Sequence, residues 1–237
     1  MIDINCDLGE GLHNEHIIMP LISSCNISCG AHAGSIEIID NVIQLAIQHK
    51  VKIGAHPSFP DRQNFGRKVL DISNSDLQKS LEDQLTIFKD RALLQNATIH
   101  HVKPHGALYN LIAVNREKAS VVIAAIQHVF EAVKLYVPYQ SRIEEVAIQS
   151  GVEIIYEAFA DRTYNEDLSL VSRTLSNALI EDKHEVLKQV QKISEKQLVT
   201  TVNFHEKEIK ASTFCVHGDT KNAIEILQYL HEYIHTK

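Results

Sequence analysis

The chain has 237 residues, 44% hydrophobic and 22% charged, which is the balance of a folded globule and excludes wholesale disorder or a fibrous repeat. Its 23 Lys and Arg against 30 Asp and Glu leave a formal charge of −7 with no basic cluster, so no nucleic-acid partner and no anionic membrane surface is expected. Met1–Leu8 lacks the basic start and apolar run of a leader. The longest purely apolar run, Val121–Ile126, is too short to span a bilayer, so a cytoplasmic location is expected.

The first strand is predicted at Ile2–Cys6, followed by a turn at Asp7–Gly11 and a second strand at Ser24–Cys29. Ser35 is positioned to cap a helix over Ile36–Lys50, whose Ile39, Val42, Ile43, Ala46 and Ile47 share one face. Strand Val51–Ala55 comes next, then a helix opened by a Ser75–Gln78 capping box and carrying Leu77, Leu81, Leu85, Phe88 and Ala92. Strands Ile99–Lys103, Val133–Val137 and Val152–Tyr156 alternate with helices Arg116–Glu131 and Arg142–Gln149. Asp161–Asp182 is the longest irregular stretch, and loops of that length are usually functional or mobile. Helix His184–Lys196, a small hairpin within Val199–Ala211, strand Thr213–Val216 and helix Lys221–His235 complete the chain. Seven strands alternating with helices imply parallel pairing through helical crossovers, an α/β fold. A seven-stranded TIM-like (β/α) barrel forming one domain over residues 1–237 is favoured over a doubly wound sheet.

Cys6, Cys25, Cys29 and Cys215 read as reduced, buried thiols in a chain without a secretory leader. Glycine is scarce at 9 residues, and eight of the nine fall in polar motifs, several of them next to a histidine. His32, His56, His105 and His217 each close a β-like segment and precede Gly, Pro or a small residue. A parallel barrel delivers strand C-termini to one rim, so Asp7, Glu10, His32, His56, Lys103, His105, His217 and Asp219 would meet there. Carboxylates and imidazoles in one pocket suit general acid–base work, because burial and neighbours tune their pKa values towards neutrality. Lys103 reads either as a cation for an anionic ligand or as the ion partner of Asp7 or Asp219. Arg67 and Arg162 carry planar forks that suit a carboxylate or tie down a loop. A divalent metal on Asp7, His32, His56 and His217 is the alternative use of the same rim, though no dense His-Glu-x-x-His spacing supports it. No P-loop, Gly-x-Gly-x-x-Gly or Gly-x-Ser-x-Gly motif is present.

Seven motifs, taken in order, carry a resemblance. They are Asn5-Cys6-Asp7-Leu8-Gly9-Glu10-Gly11, Cys29-Gly30-Ala31-His32-Ala33-Gly34, Gly54-Ala55-His56-Pro57, Phe65-Gly66-Arg67, Val102-Lys103-Pro104-His105-Gly106-Ala107-Leu108-Tyr109-Asn110, Ala160-Asp161-Arg162 and Cys215-Val216-His217-Gly218-Asp219-Thr220. Together they resemble the LamB/YcsF family of 5-oxoprolinase A subunits from residue 3 to about 223. The resemblance implies a barrel related to the glycoside hydrolase/deacetylase superfamily. It also implies an ATP-dependent hydrolase that opens the lactam of 5-oxo-L-proline to L-glutamate with subunits B and C, using ATP with its Mg ion. Asp7, Glu10, His32, His56, His105, His217 and Asp219 are then the expected catalytic residues. Asn5, Asn26, Arg67, Lys103, Tyr109 and Arg162 are the expected substrate contacts, and no metal ligand is assigned. Ala31 and Ser35 depart from the Phe and Asp usual in the family, and Ser58 from its Gly. The alternatives are a stand-alone metal-dependent deacetylase or sugar hydrolase, and a non-catalytic component that presents substrate.

Overall fold

The computed structural model describes residues 2–236. Strands β1 (Asp3–Leu8), β2 (Ser24–Ser28), β3 (Lys52–His56), β4 (Ile99–Val102), β5 (Lys134–Pro138) and β6 (Ile154–Phe159) follow one another around a parallel barrel. Strands β7 (Leu198–Thr200) and β8 (Glu206–Glu208) form a separate antiparallel hairpin, inside the range the sequence indicated. Strand β9 (Thr213–Cys215) then pairs with both β6 and β1 and closes the barrel at seven strands.

The helices are α1 (Glu15–Ile18), α2 (Ile36–His49), α3 (Asn74–Leu94), α4 (Gly106–Val114), α5 (Arg116–Val129), α6 (Arg142–Gln149), α7 (Lys183–Lys196) and α8 (Ala223–Thr236). Ser35 caps α2 by accepting from the Ile38 amide, and its buried face is Ile39, Val42, Ile43 and Ala46. Two expectations need correction. The cap of α3 is Ser73, which accepts from Asp76 N, and not Ser75; the capping hydroxyl lies two residues earlier than the Ser–Gln pattern implied. Helix α4 was not foreseen, because its start coincides with the Lys103-Pro104-His105-Gly106 turn and its nine residues carry little amphipathic contrast. It splits the β4–β5 crossover in two, and Asn115 ends it while capping α5.

Apolar residues from the strands and helices pack into one cluster between sheet and helical ring. The barrel interior is different. Asn5 of β1, Asn26 of β2, His101 of β4, Glu157 of β6 and Thr213 of β9 are all buried, and they hydrogen-bond across the lumen where branched aliphatic layers usually fill such a barrel. His101 reaches Asn26 by lying over Gly54 of β3: a Cβ there would sit 2.1 Å from His101 Nε2. No described helix is long and apolar enough to cross a membrane.

Candidate active site

A cavity of roughly 350 Å³ opens at the C-terminal ends of the strands, within the usual size range of small-molecule sites. Asp7, Glu10, His56, Arg67, Lys103, His105, Tyr109, Arg162, His217 and Asp219 line it, so residues up to 212 positions apart share one mouth. Three of the expected residues lie elsewhere. Asn5 and Asn26 are buried below the floor, and His32 is stacked behind His105 with ring centroids 3.8 Å apart.

The floor is an ion-pair network centred on Lys103. Its Nζ lies 2.9 Å from Asp7 Oδ1, 2.9 Å from Glu157 Oε1 and 3.0 Å from Cys215 Sγ, and it donates to Asn5 Oδ1 at 3.3 Å. Asp219, one of the two partners considered for Lys103, is not among these contacts; Glu157 takes that place. Burial alone would drive the Lys103 ammonium towards neutrality, but Asp7, Cys215 and Glu157 reverse this and hold its pKa well above the ordinary value. Burial raises Asp7 likewise, and His56 and Lys103 overcome it, so Asp7 stays ionised. Glu157 was missed by the sequence reading. Its signal was a lone acid in the otherwise apolar or aromatic run of β6, three residues before Ala160-Asp161-Arg162.

Above the floor, two histidines form a relay whose protons can be counted. His56 Nδ1 is 2.7 Å from the Lys103 carbonyl and His105 Nε2 is 2.9 Å from the Phe65 carbonyl, so both nitrogens carry hydrogen. The remaining nitrogens, His56 Nε2 and His105 Nδ1, meet at 2.9 Å and need one proton between them. The pair therefore holds three protons and a single positive charge. Burial lowers both rings, but Asp7, with Oδ2 3.4 Å from His56 Nε2, and then Glu10 raise His56, whereas His105 stays lowered. Glu10 Oε1 lies 3.1 Å from His105 Nδ1, so the charge belongs to the pair, weighted towards His56. His32 donates from Nε2 to Glu10 Oε1 at 3.0 Å, and burial takes its pKa down to about 4, so it is neutral.

A second unit stands across the cavity. His217 Nδ1 is 2.9 Å from Asp161 Oδ1, and Asp161 Oδ2 also accepts from the His217 amide at 3.0 Å and from Thr220 Oγ1 at 2.6 Å. Burial raises the Asp161 carboxyl, and His217 with Thr220 outweighs it, leaving the pKa lowered and the group anionic. A fixed carboxylate on Nδ1 orients the imidazole and leaves Nε2 as the working nitrogen, the geometry of a base with its orienting acid. Asp161, in the Ala160-Asp161-Arg162 motif, is a site residue that its sequence context alone does not reveal.

At the rim, Arg67 and Arg173 both bind Asp219 Oδ2, at 2.5 and 3.0 Å. Arg162 was expected to touch substrate, but its Nε and Nη2 donate to the carbonyls of Ala178 and Val171. It staples the neck of the Asp161–Asp182 loop and leaves Ser172, Arg173 and Thr174 lining the mouth. Tyr109 is buried beside Glu157, and burial first, then that carboxylate, keeps its phenol protonated.

The metal question sorts differently from the sequence. Glu10, His32, His56 and His105 each bring one donor atom within 4.8 Å of the others, whereas Asp7 and His217 group with Cys215. Three imidazoles and a carboxylate suit a divalent d-block ion, which would displace the proton that His56 and His105 share. The four cysteines are buried and free.

The LamB/YcsF family model matches residues 2–237. The chain belongs to the LamB/YcsF family. It is 38% identical over 236 residues to the 5-oxoprolinase A subunit of Bacillus cereus strain B4264, covering 97% of this chain and 93% of that one. It is 37% identical, with the same coverage, to that of Bacillus thuringiensis subsp. konkukian. The crystal structure of the lactam utilization protein from Thermus thermophilus superposes with a TM-score of 0.92 at 30% identity, over 99% of this chain and 96% of that one. A GH113 β-1,4-mannanase shares the barrel alone, with a TM-score of 0.52 at 10% identity over 97% and 98% of the two chains. The seven-stranded TIM-like barrel expected of a LamB/YcsF chain is the fold observed.

Proposed function

We propose that this chain is the A subunit of an ATP-dependent 5-oxoprolinase, which opens 5-oxo-L-proline to L-glutamate together with subunits B and C. The observation that carries the reading is the meeting of an oriented base, a charged imidazole relay and arginine side chains in one small cavity of a LamB/YcsF chain. A lactam carbonyl is a poor electrophile. Transfer of a phosphoryl group from Mg-ATP to the carbonyl oxygen makes the carbon attackable by water; cleavage of the C–N bond then leaves an acyl phosphate, and a second water releases glutamate and inorganic phosphate.

The residues divide the work by protonation state. His217, fixed by Asp161, is the base that takes the proton of the attacking water. The positively charged His56–His105 pair, backed by Asp7, delivers charge to the cavity, and His217 returns the proton it took from water to the leaving nitrogen. Asp7 is ionised and paired with Lys103, so it holds charge in place and gives up no proton of its own. Tyr109 donates a hydrogen bond to a substrate oxygen, and Arg67 faces its carboxylate. Purified chain mixed with subunits B and C, 5-oxoproline and Mg-ATP is expected to release glutamate with coupled ATP consumption. Asp161→Asn, which keeps the shape but offers His217 a neutral partner, is expected to lower turnover by about 10²-fold or more. Coupled turnover unchanged in Asp161→Asn, Asp7→Asn and His105→Ala would remove the site assignment.

A second reading is hydrolysis by this chain alone with a bound metal, favoured by the Glu10–His32–His56–His105 cluster. Those four residues would hold the ion, which supplies Lewis-acid polarisation or a nucleophilic water when bound. Stoichiometric metal in chelator-free preparations, together with amide or sugar-acetyl hydrolysis lacking any ATP requirement, would select it.

A further inference from the structure

Two guanidiniums meeting a single carboxylate at the mouth of a cavity is an arrangement with a surplus charge. Arg67 comes from the loop after β3 and Arg173 from the tip of the Asp161–Asp182 loop, and both end on the same oxygen of Asp219. All three side chains line the cavity. They are also its wet edge, with side-chain exposures of 44% for Arg67, 30% for Arg173 and 26% for Asp219. An ion pair this exposed costs little to open, because water and a competing anion replace what is lost. Arg162 makes the contrast: it too lines the cavity, but it is buried and two of its nitrogens are committed to backbone carbonyls.

The arginines are also held ready. Phe65 and Gly66 both have positive φ, at 54° and 62°, and a Cβ on Gly66 would lie 2.3 Å from Ser58 Oγ and 3.0 Å from His105 Cδ2. That turn is fastened by His105 Nε2 on the Phe65 carbonyl and by the Ala107 amide on the Gly66 carbonyl, at 2.9 and 3.0 Å. Arg67 lies over the Phe65 ring, 4.9 Å from its centroid. Strain stored in a turn that is tied to the histidine relay aims one guanidinium, and the stapled loop aims the other.

We infer that Arg67 and Arg173 form a carboxylate clamp, and that Asp219 is an internal place-holder which the carboxylate of the substrate displaces. Asp219 is then neither an acid nor a base in the reaction, and Arg173 sets specificity for acids over neutral lactams. A carboxylate fits the clamp better than a phosphate, because the group already seated there is a carboxylate and only two guanidiniums contact it. The inference rests on the lactam-acid reading of the cavity for the identity of the ligand, and on geometry alone for the class of anion.

Calorimetric titration of the full chain, alone and with subunits B and C, separates the two. The probes are L-5-oxoproline, pyrrolidin-2-one, glutarate and Mg-ATP. Arg67→Gln and Arg173→Gln are expected to weaken 5-oxoproline about tenfold or more, as loss of a charged hydrogen-bond pair does, while Asp219→Asn tightens it several-fold. Pyrrolidin-2-one, which has no carboxylate, is expected to respond to none of them. Equal 5-oxoproline affinity in wild type and all three variants would overturn the clamp and leave the lactam reading standing. Asp219→Asn weakening 5-oxoproline as much as Arg173→Gln does would overturn the place-holder role. Loss of Mg-ATP in Arg173→Gln, with 5-oxoproline unaffected, would assign the arginines to phosphate and overturn the proposal. If neither lactam binds wild type but glutarate does and is weakened by Arg173→Gln, the clamp holds and the substrate reading falls. If no carboxylate binds, the clamp falls.

Discussion

The floor and the rim of the cavity are both built from ion pairs, and the same interaction does opposite things in the two places. At the floor, Lys103, Asp7 and Glu157 are at most 9% exposed in their side chains, and Lys103 and Asp7 keep their charges through their neighbours. At the rim, Arg67, Arg173 and Asp219 share their field with water. A buried pair adds little net stability over an apolar equivalent, yet it is costly to break from one side, because the partner is left charged and dry. An exposed pair is worth under about 1 kcal/mol and can be exchanged. The floor therefore fixes geometry and the rim can trade partners with a ligand.

The sharpest way to break this contrast is Lys103→Met. It strips Glu157 of its cation and leaves Asp7 with His56 alone, and the expected loss is about 3–5 kcal/mol, or roughly 10 °C in Tm for a chain of this length. Adding Glu157→Gln should return part of that loss, since the carboxylate left without a cation is gone. A fall of less than about 3 °C in the single variant, measured by calorimetric melting, would mean that Lys103 does not organise the floor.

Gly54→Ala tests the layer beneath. Its new methyl would meet the His101 ring, which stacks on Tyr136 with centroids 3.8 Å apart and is 2.6 Å from Asn26 Oδ1. With the ring held on both sides, overpacking of about 1–3 kcal/mol is expected. Gly11→Ala is the control, because no atom lies within 4 Å of its added methyl and only its φ of 89° opposes the change, for about 1 kcal/mol.

The same contrast explains what the sequence could reveal. The rim was legible, because residues at strand ends break the apolar pattern and sit beside glycines: Asp7, His56, His105, His217 and Asp219 all announced themselves. The floor was half hidden. Glu157 and His101 lie within strands, and nothing local says that a polar residue inside β6 points at the lysine that follows β4; only barrel closure brings them together. Gly54 read only as a glycine in a polar motif before His56, when its real reason is a ring from the neighbouring strand. Arg173 was hidden for another cause, since a long irregular loop has no periodicity from which the direction of a side chain can be read. The strand count and order followed from alternation, whereas α4 escaped because a turn motif covered its start.

Alkaline pH probes the core wall shared by both regions. Burial pushes the thiols of Cys25 and Cys29 up to about 12, against about 9 in the unfolded chain. The folded state thus keeps protons that the unfolded state releases, so the contribution of these thiols to stability is intact below about pH 9 and lost as pH rises from there. Two such groups cost about 2 kcal/mol between about pH 9 and 10, readable as a falling denaturant midpoint at constant slope. Cys25→Ala with Cys29→Ala should remove their share of that fall, leaving the part due to the buried Cys6 and Cys215. Alkylating reagents at neutral pH should label none of the four cysteines until denaturant is added, and rapid native labelling would contradict the burial on which the expected fall depends.

The smallest effect on stability is expected at the rim, where Arg67→Gln should move Tm by no more than about 2 °C. The clamp turns that small number into a strong test, because the same substitution is expected to lower turnover of the assembled complex at sub-saturating 5-oxoproline about tenfold or more. A floor residue cannot give that pattern, since any substitution there changes folding and chemistry together. If Arg67→Gln instead destabilised the chain by several kcal/mol, its guanidinium would have to be read as a structural tie like that of Arg162. The distinction between a fixed floor and an exchangeable rim would then fail at the residue where it is easiest to measure.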